Sequence, residues 1–285
     1  MNILKDTLFI VLQHLLPQHG LSRLVGKLTH CRWRPLKNAL IRRFVRAYDI
    51  DLSEAADADP DAYPCFNAFF TRPLKAGARP VADDPRAVVS PADGRLSQIG
   101  TLTGEWLIQA KGRDFSATAL LGDADLGRRF ADGAFATIYL SPRDYHRVHM
   151  PYPGRLREMI HIPGRLFSVN DATAEGVDNL YARNERVVCR FDTDAGPMAV
   201  VLVGALLVAG IETVWHGPVT PPTARRIQRW RYDDRDIVLE RGAELGRFNM
   251  GSTVILLLPE DTVAWRRQTG DRVRVGETLG LARAP

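Results

Sequence analysis

Apolar positions recur at helical spacing over the first fifty residues and at strand spacing over most of the rest of the chain. Leu4, Leu8, Val11, Leu12, Leu15 and Leu16 fall three and four residues apart, and Pro17 with Gly20 closes the run, so a first helix is predicted there. Leu21, Leu24, Val25 and Leu28 begin a second, with Arg23 and Lys27 among them. After Pro35 a third stripe holds Leu36, Leu40, Ile41, Phe44, Val45 and Tyr48, while Lys37, Arg42, Arg43 and Arg46 lie largely on the other face. Asp51 to Pro60 is acidic, Ala-rich and ends in proline, which reads as a connection or short helix and sets a boundary near residue 60. Phe66, Phe69 and Phe70 then form an aromatic cluster ahead of Arg72-Pro73, expected to dock the helices onto the body without a catalytic role.

From Val88 onward the chain breaks into short β-type runs divided by Gly, Pro and Asp: Val88 to Ser90, Leu96 to Ile99, Phe135 to Leu140, Val187 to Phe191, Met198 to Gly204, Leu206 to Val214, Ile237 to Leu239 and Val254 to Leu258. Ala117 to Leu121 and Leu126 to Phe130 suggest short helices between them. The terminal Thr269 to Gly280 reads as a hairpin. Its G-D-x-V-x-x-G-x-x-L spacing resembles the folded-over barrels of biotinyl and lipoyl carriers, although it has no lysine at a hairpin tip. The expected fold is α+β: an N-terminal amphipathic helical segment, residues 1–60, on a β-rich body, residues 61–285, with a barrel-sandwich-like core.

At 285 residues and 45% hydrophobic composition the chain can bury a full core. Its net charge of +5 is uneven: residues 1–50 hold nine Lys and Arg against Asp6 and Asp49, giving +7 there and −2 for the remainder. A basic segment calls for an acidic partner, and apolar stripes on the same helices favour an anionic phospholipid membrane over nucleic acid. The plainer alternative is a helical subdomain packed on its own core with a solvated basic face. Cys31, Cys65 and Cys189 are odd in number and outside any C-x-x-C pattern, so neither a disulfide framework nor a zinc site is indicated. Asp6 precedes the apolar run Leu8 to Leu12, Gln13 and His14 interrupt it, and no small-residue cleavage site comes after it, which argues against a signal peptide. No run approaches the roughly 20 residues of a spanning helix. The expected location is peripheral, on the cytoplasmic side of the cell membrane.

The chemistry is expected at Gly246-Arg247-Phe248-Asn249-Met250-Gly251-Ser252-Thr253, which runs straight into Val254 to Leu258. A Gly-Ser step entering a β-rich run places a hydroxyl beside a carbonyl whose own residue has no Cβ, so another group can approach closely. Ser252 could attack the Gly251 carbonyl in an N-to-O acyl shift. β-Elimination from the ester would free a Gly251 carboxylate and leave dehydroalanine, which hydrolyses to a pyruvoyl group. By itself Gly-Ser-Thr is a weak signal, equally at home in a turn entering a strand.

Two other stretches add weight: Ser90-Pro91-Ala92-Asp93-Gly94, and Leu140-Ser141-Pro142-Arg143-Asp144-Tyr145-His146-Arg147-Val148-His149-Met150-Pro151. Together the three resemble the phosphatidylserine decarboxylases, and the likeness extends through Phe66 to Leu74, Lys111-Gly112, Leu166-Phe167-Ser168-Val169-Asn170 and Asn184-Glu185-Arg186. One departure is Met250, where bacterial members usually carry Leu, a nearly isosteric change.

The resemblance implies self-cleavage between Gly251 and Ser252 into chains 1–251 and 252–285 that stay partners, with a homodimer also allowed. It makes His149 the base and Asp93 its partner in activating Ser252, and the covalent pyruvoyl group on residue 252 the cofactor. Phosphatidylserine would form a Schiff base there, lose CO₂ and leave as phosphatidylethanolamine. His146 is the candidate proton donor, and Ser168 and Asn170 are weaker candidates for the serine head group, able instead to satisfy buried backbone. For the two histidines a metal pair lacks an evident third ligand, and for Asp93-Gly94 the bland reading is a hairpin turn. Two other classes stay open: a membrane-associated serine hydrolase using Ser252, His149 and Asp93, which lacks the G-x-S-x-G elbow, and a non-catalytic lipid- or protein-binding barrel.

Overall fold

Val254 to Leu258 is apolar at every position because it lies in the middle of a sheet with protein on both faces. In a computed structural model, which describes residues 3–110, 112–206, 210–221, 226–250 and 252–283, the strand Ser252–Leu258 pairs antiparallel with Ala134–Leu140 on one side and Gly196–Val203 on the other. All seven of its residues are buried. Val254, Leu256 and Leu258 enter one core with Leu245 and Phe248, while Ile255 and Leu257 enter a second with Phe115 and Tyr181. A strand alternating between two apolar cores reads as a continuous hydrophobic run.

Among the described residues the sheet has nine strands, one of which, Val238–Leu239, pairs only with Gly154–Ile162. On one side it continues through Arg186–Thr193 and Gly154–Ile162 to Gln228–Arg231; on the other it continues from Ala134–Leu140 through Gly94–Thr101 to Arg272–Val273. Glu244–Asn249 belongs to a different, four-stranded sheet, between Gly210–Thr213 and Arg147–His149. The chain therefore changes sheets between Asn249 and Ser252. Met250 makes the change at φ 87°, a left-handed conformation that favours glycine and strains a side-chain-bearing residue.

Among the described residues these antiparallel sheets form no closed barrel, and the mixture of helix and sheet with a leading helical segment fits the α+β expectation. The terminal hairpin is corrected. Arg272–Val273 pairs with Gly94 and Arg95, whereas Thr278–Ala282 pairs with Ala87–Val89 and Val263–Trp265, so its two arms serve different sheets. Nor is Asp93-Gly94 a hairpin turn: Gly94 starts a strand, and a Cβ on it would lie 2.3 Å from the Tyr139 carbonyl oxygen. The expected strand over Leu206 to Val214 is observed as Gly210–Thr213, positions 207–209 lying outside the described residues.

Three helices lead the chain: α1 (Ile3–Leu15), α2 (Gln18–Thr29) and α3 (Arg34–Tyr48). In α3, Ile41 and Phe44 pack on α4 (Phe66–Phe70), the docking piece expected from the aromatic cluster. The basic face of α3 is less free than its spacing implies, since Lys37 Nζ donates to the Asp61 carbonyl and Arg42 pairs with the Asp61 carboxylate. The first two helices invert the usual amphipathic rule. Gln13, Gln18 and Ser22 are buried, while Leu8, Leu12, Leu15 and Leu24 are between 48% and 77% exposed.

Candidate active site

Strand register assembles the site around Leu140. Ser252 pairs with Leu140 on one side, and Arg95 pairs with Tyr139 on the other, which brings Gly94 alongside Leu140. Asp93-Gly94 and Ser252 thus flank the same strand end, two strand spacings or about 10 Å apart. Beyond Leu140 the chain turns: Asp144 Oδ2 accepts from the Ser141 amide and hydroxyl, both at 2.7 Å. It then returns beside the motif strand, where the Phe248 amide donates to the His146 carbonyl at 3.0 Å. The loop 141–146 therefore lies beside the end of the Glu244–Asn249 strand. Gly251, and with it the bond to Ser252, lies outside the described residues, as does Lys111.

Ser252 is 1% exposed, and its Oγ has no hydrogen-bond partner among the described residues. His146 is also fully buried, its Nδ1 donating to the Asp144 carbonyl at 2.8 Å and its ring centroid 4.0 Å from that of Phe70. That bond fixes the tautomer with the lone pair on Nε2, which is buried and unpartnered. Burial pushes the His146 pKa down to about 3, with the nearby Arg72 charge adding to the effect. At neutral pH its free nitrogen therefore accepts a proton before it can give one. A buried hydroxyl and a buried imidazole nitrogen, both without partners among the described residues, are costly to maintain.

Asp93 and His149 come to the same region without bonding to each other. His149 Nδ1 is 2.8 Å from the Gly242 carbonyl, its Nε2 is 3.1 Å from the Tyr145 hydroxyl, and its amide donates to the Pro91 carbonyl at 2.7 Å. Burial lowers its pKa, opposed in part by the charges of Glu244 and Asp93. The Asp93 carboxylate instead accepts a fork from Arg79, Nε at 3.0 Å and Nη2 at 2.5 Å, together with the Val275 amide at 2.8 Å. Arg79 also reaches Glu54 at 2.9 Å. Asp93 is thus a junction between the segment ahead of the β-rich body and the C-terminal segment.

Ser168 and Asn170 sit in the local backbone network. The Ser168 amide donates to Gln13 Oε1 at 2.7 Å, and Asn170 Oδ1 caps the helix Asp171–Gly176 by accepting from the Thr173 amide at 3.1 Å. Several contributors are not evident from the sequence alone. Arg79 and Tyr145 hold Asp93 and His149. Asn67, the polar residue inside the Phe66–Phe70 run, donates to Asn249 Oδ1 at 3.1 Å, and Asn249 in turn donates to Glu212 at 2.7 Å, which steadies the end of the strand ahead of Met250. A lone amide within an aromatic run is the signal that could have flagged Asn67.

A family model described as phosphatidylserine decarboxylase matches residues 66–281, and a second, described as PSD, matches residues 8–49. The phosphatidylserine decarboxylase proenzyme of Azotobacter vinelandii is 56% identical over 285 residues, covering 98% of this chain and 99% of the relative. That of Methylococcus capsulatus is 54% identical over 286 residues, covering 99% of each. The Delftia acidovorans proenzyme is 58% identical over 257 residues, covering 90% of each.

His146 makes a pH prediction. Its ordinary pKa of 6.5 in the unfolded chain falls to about 3 in the folded one, so the unfolded state binds up to about one more proton between those values. Its effect on stability should be absent above pH 6.5 and grow destabilising as the pH drops toward 3. Urea midpoints measured from pH 7 to 4.5 should fall less steeply in His146→Gln than in wild type; identical slopes would mean that His146 is not held neutral.

Proposed function

Because this chain belongs to the phosphatidylserine decarboxylase family and decarboxylates phosphatidylserine, we propose that Ser252 is the reacting residue and that the chain cuts itself to make a pyruvoyl group there. The observation that carries this reading is the desolvated, unpartnered Ser252 hydroxyl at the first position of a central strand, two residues after the left-handed Met250. Residues 1–60 form the membrane segment and 61–285 the catalytic unit, cut into chains 1–251 and 252–285.

In the cut, the Ser252 Oγ–C bond to Gly251 forms as the amide bond between the two residues breaks. The hydroxyl proton passes through a base to the freed amine. β-Elimination then breaks the Cβ–Oγ bond, leaves Gly251 as a carboxylate, and turns residue 252 into dehydroalanine; water adds, ammonia leaves, and the pyruvoyl group remains. Strain at Met250, of order 1–3 kcal/mol for such a conformation, is released when the chain is no longer continuous. His149 and Asp93 serve this step, with the Tyr145 hydroxyl on His149 Nε2 placed to relay the proton. The pyruvoyl group would supply the carbonyl that takes up electrons when CO₂ departs. His146 handles the turnover proton: its free Nε2 first accepts one, then returns it to the carbon that lost CO₂. A hydrolase acting on external esters is disfavoured by the burial of Ser252 within the sheet.

The membrane reading rests on the outward leucines of α1 and α2, with Trp33 exposed beside them. No described helix is long and apolar enough to cross a bilayer, so the helices would lie in its interface, with Arg23, Lys27, Arg43 and Arg46 toward anionic head groups. Substrate, itself an anionic lipid, would be met in that plane.

On gels, Ser252→Ala, Asp93→Asn and His149→Ala should stay as uncut precursor, while His146→Ala should cut itself yet release CO₂ at least ~100-fold more slowly. Normal maturation of His149→Ala, or normal turnover of His146→Ala, would overturn the division of roles. In flotation with phosphatidylglycerol vesicles, exchanging Arg23, Lys27, Arg43 and Arg46 for Glu should weaken binding by about 1 kcal/mol or more per site, as should high salt for wild type. Binding indifferent to both would leave the helices as a packing element only.

A further inference from the structure

The polar edge of α1 is buried against a particular loop. Gln13 and Gln18 are 1% and 3% exposed. Gln13 Oε1 accepts from the Ser168 amide at 2.7 Å while its Nε2 donates to Thr173 Oγ1 at 3.3 Å. Gln18 Oε1 accepts from the Leu166 amide at 2.9 Å, and its Nε2 donates to the Gln13 carbonyl at 2.8 Å. The His14 ring lies 4.8 Å from that of Phe167. Two alternate backbone amides of the Leu166–Asn170 stretch thus find their acceptors on α1 and the residues just after it. Without them both would lose their acceptors, the Leu166 amide at a buried position. The seat is shaped as well as bonded, since a Cβ on Gly176 would meet Ile10 Cδ1 at 2.1 Å.

The other side of this loop leads to Ser252. Asn184, fully buried, accepts from the Phe167 amide at 3.0 Å and donates to the carbonyls of Phe167 at 2.9 Å and Gly204 at 3.0 Å. Gly204 comes after Val203, the register partner of Thr253. It therefore lies alongside Ser252, about one strand spacing or 5 Å away. The path from α1 to the motif strand is continuous: Gln13 and Gln18, the 166–168 backbone, Asn184, Gly204, Ser252.

We propose that Gln13 and Gln18 are positioning residues of the decarboxylation site, and that α1 is one of its walls, holding the Leu166–Asn170 loop against the Ser252 strand. The outward leucines of the same helix make that wall the surface that meets the bilayer. Seating α1 on the membrane therefore fixes the loop, and lipid binding and turnover are linked through two glutamines. This rests on Ser252 as the reacting residue, but the bonding of the loop to α1 does not.

The test uses the full-length enzyme and two readouts. Gln13→Leu/Gln18→Leu keeps the apolar face and helix propensity but removes both acceptors. Vesicle flotation should be unchanged, self-cleavage complete, and kcat on short-chain phosphatidylserine at least ~10-fold lower with KM within about threefold. Gln13→Glu, which keeps an acceptor for the Ser168 amide, should keep most of the wild-type rate. Hydrogen exchange supplies the second readout and needs no turnover. In wild type the 164–170 amides should exchange more slowly on phosphatidylglycerol vesicles than in solution, and in the double variant they should exchange fast in both. Unchanged kcat in the double variant, or a loss of rate that only tracks loss of vesicle binding, overturns the positioning role. If the double variant does not fold, Gln18→Leu and the wild-type exchange comparison decide; equal exchange with and without vesicles overturns the link. A chain that shows the exchange effect yet never cuts itself would count against the Ser252 reading alone.

Discussion

The Ser252–Leu258 strand is hydrogen-bonded on both edges and buried on both faces, and this constrains everything proposed to happen at its first residue. A serine there cannot be offered to solvent without opening the sheet. In the proposed self-cleavage the carbonyl would be that of the adjacent residue in sequence, which needs no opening of the sheet to reach Ser252. The same pairing keeps a severed C-terminal segment in place: its first strand lies between two strands of the other piece, Arg272–Val273 adds to the far edge of that sheet, and the Val275 amide is tied to Asp93. Cutting would change the covalent connectivity and leave the core intact.

Around that fixed strand the titratable groups are kept apart by other bonds. Arg79 takes the Asp93 carboxylate in fork geometry, a charge-assisted arrangement stronger than a neutral hydrogen bond. Tyr145 and Gly242 take both nitrogens of His149, whereas His146 keeps a buried nitrogen free. One histidine thus sits in a bonded network near Asp93 and the other is buried against Phe70, and the proposed division of two acid-base tasks rests on that separation.

Much of this is legible in the chain. The three leading helices come from apolar spacing, Val254 to Leu258 from an unbroken β-type run, and Asp93, His149 and Ser252 from motif resemblance. The failures have identifiable causes. Gly154–Ile162 goes undetected because a bulge between Leu156 and Glu158 shifts the pleat, so that Leu156 and Met159, three residues apart, face the same core and the alternation breaks. The partner of Asp93 is hidden because Arg79 lies in a stretch without period, and long-range ion pairs leave no trace in spacing. The orientation of α1 is open because an apolar stripe alone does not say whether it faces protein or lipid. The buried Gln13, which interrupts that stripe, and Gln18 just beyond the helix show that the polar edge faces protein and the leucines face outward.

Intact-mass spectrometry of the purified, active protein tests the central claim most directly. The account predicts two chains, residues 1–251 and 252–285, the second with an N-terminus blocked to sequencing and captured by hydroxylamine through its carbonyl. A single uncut chain of 285 residues that decarboxylates phosphatidylserine would contradict it.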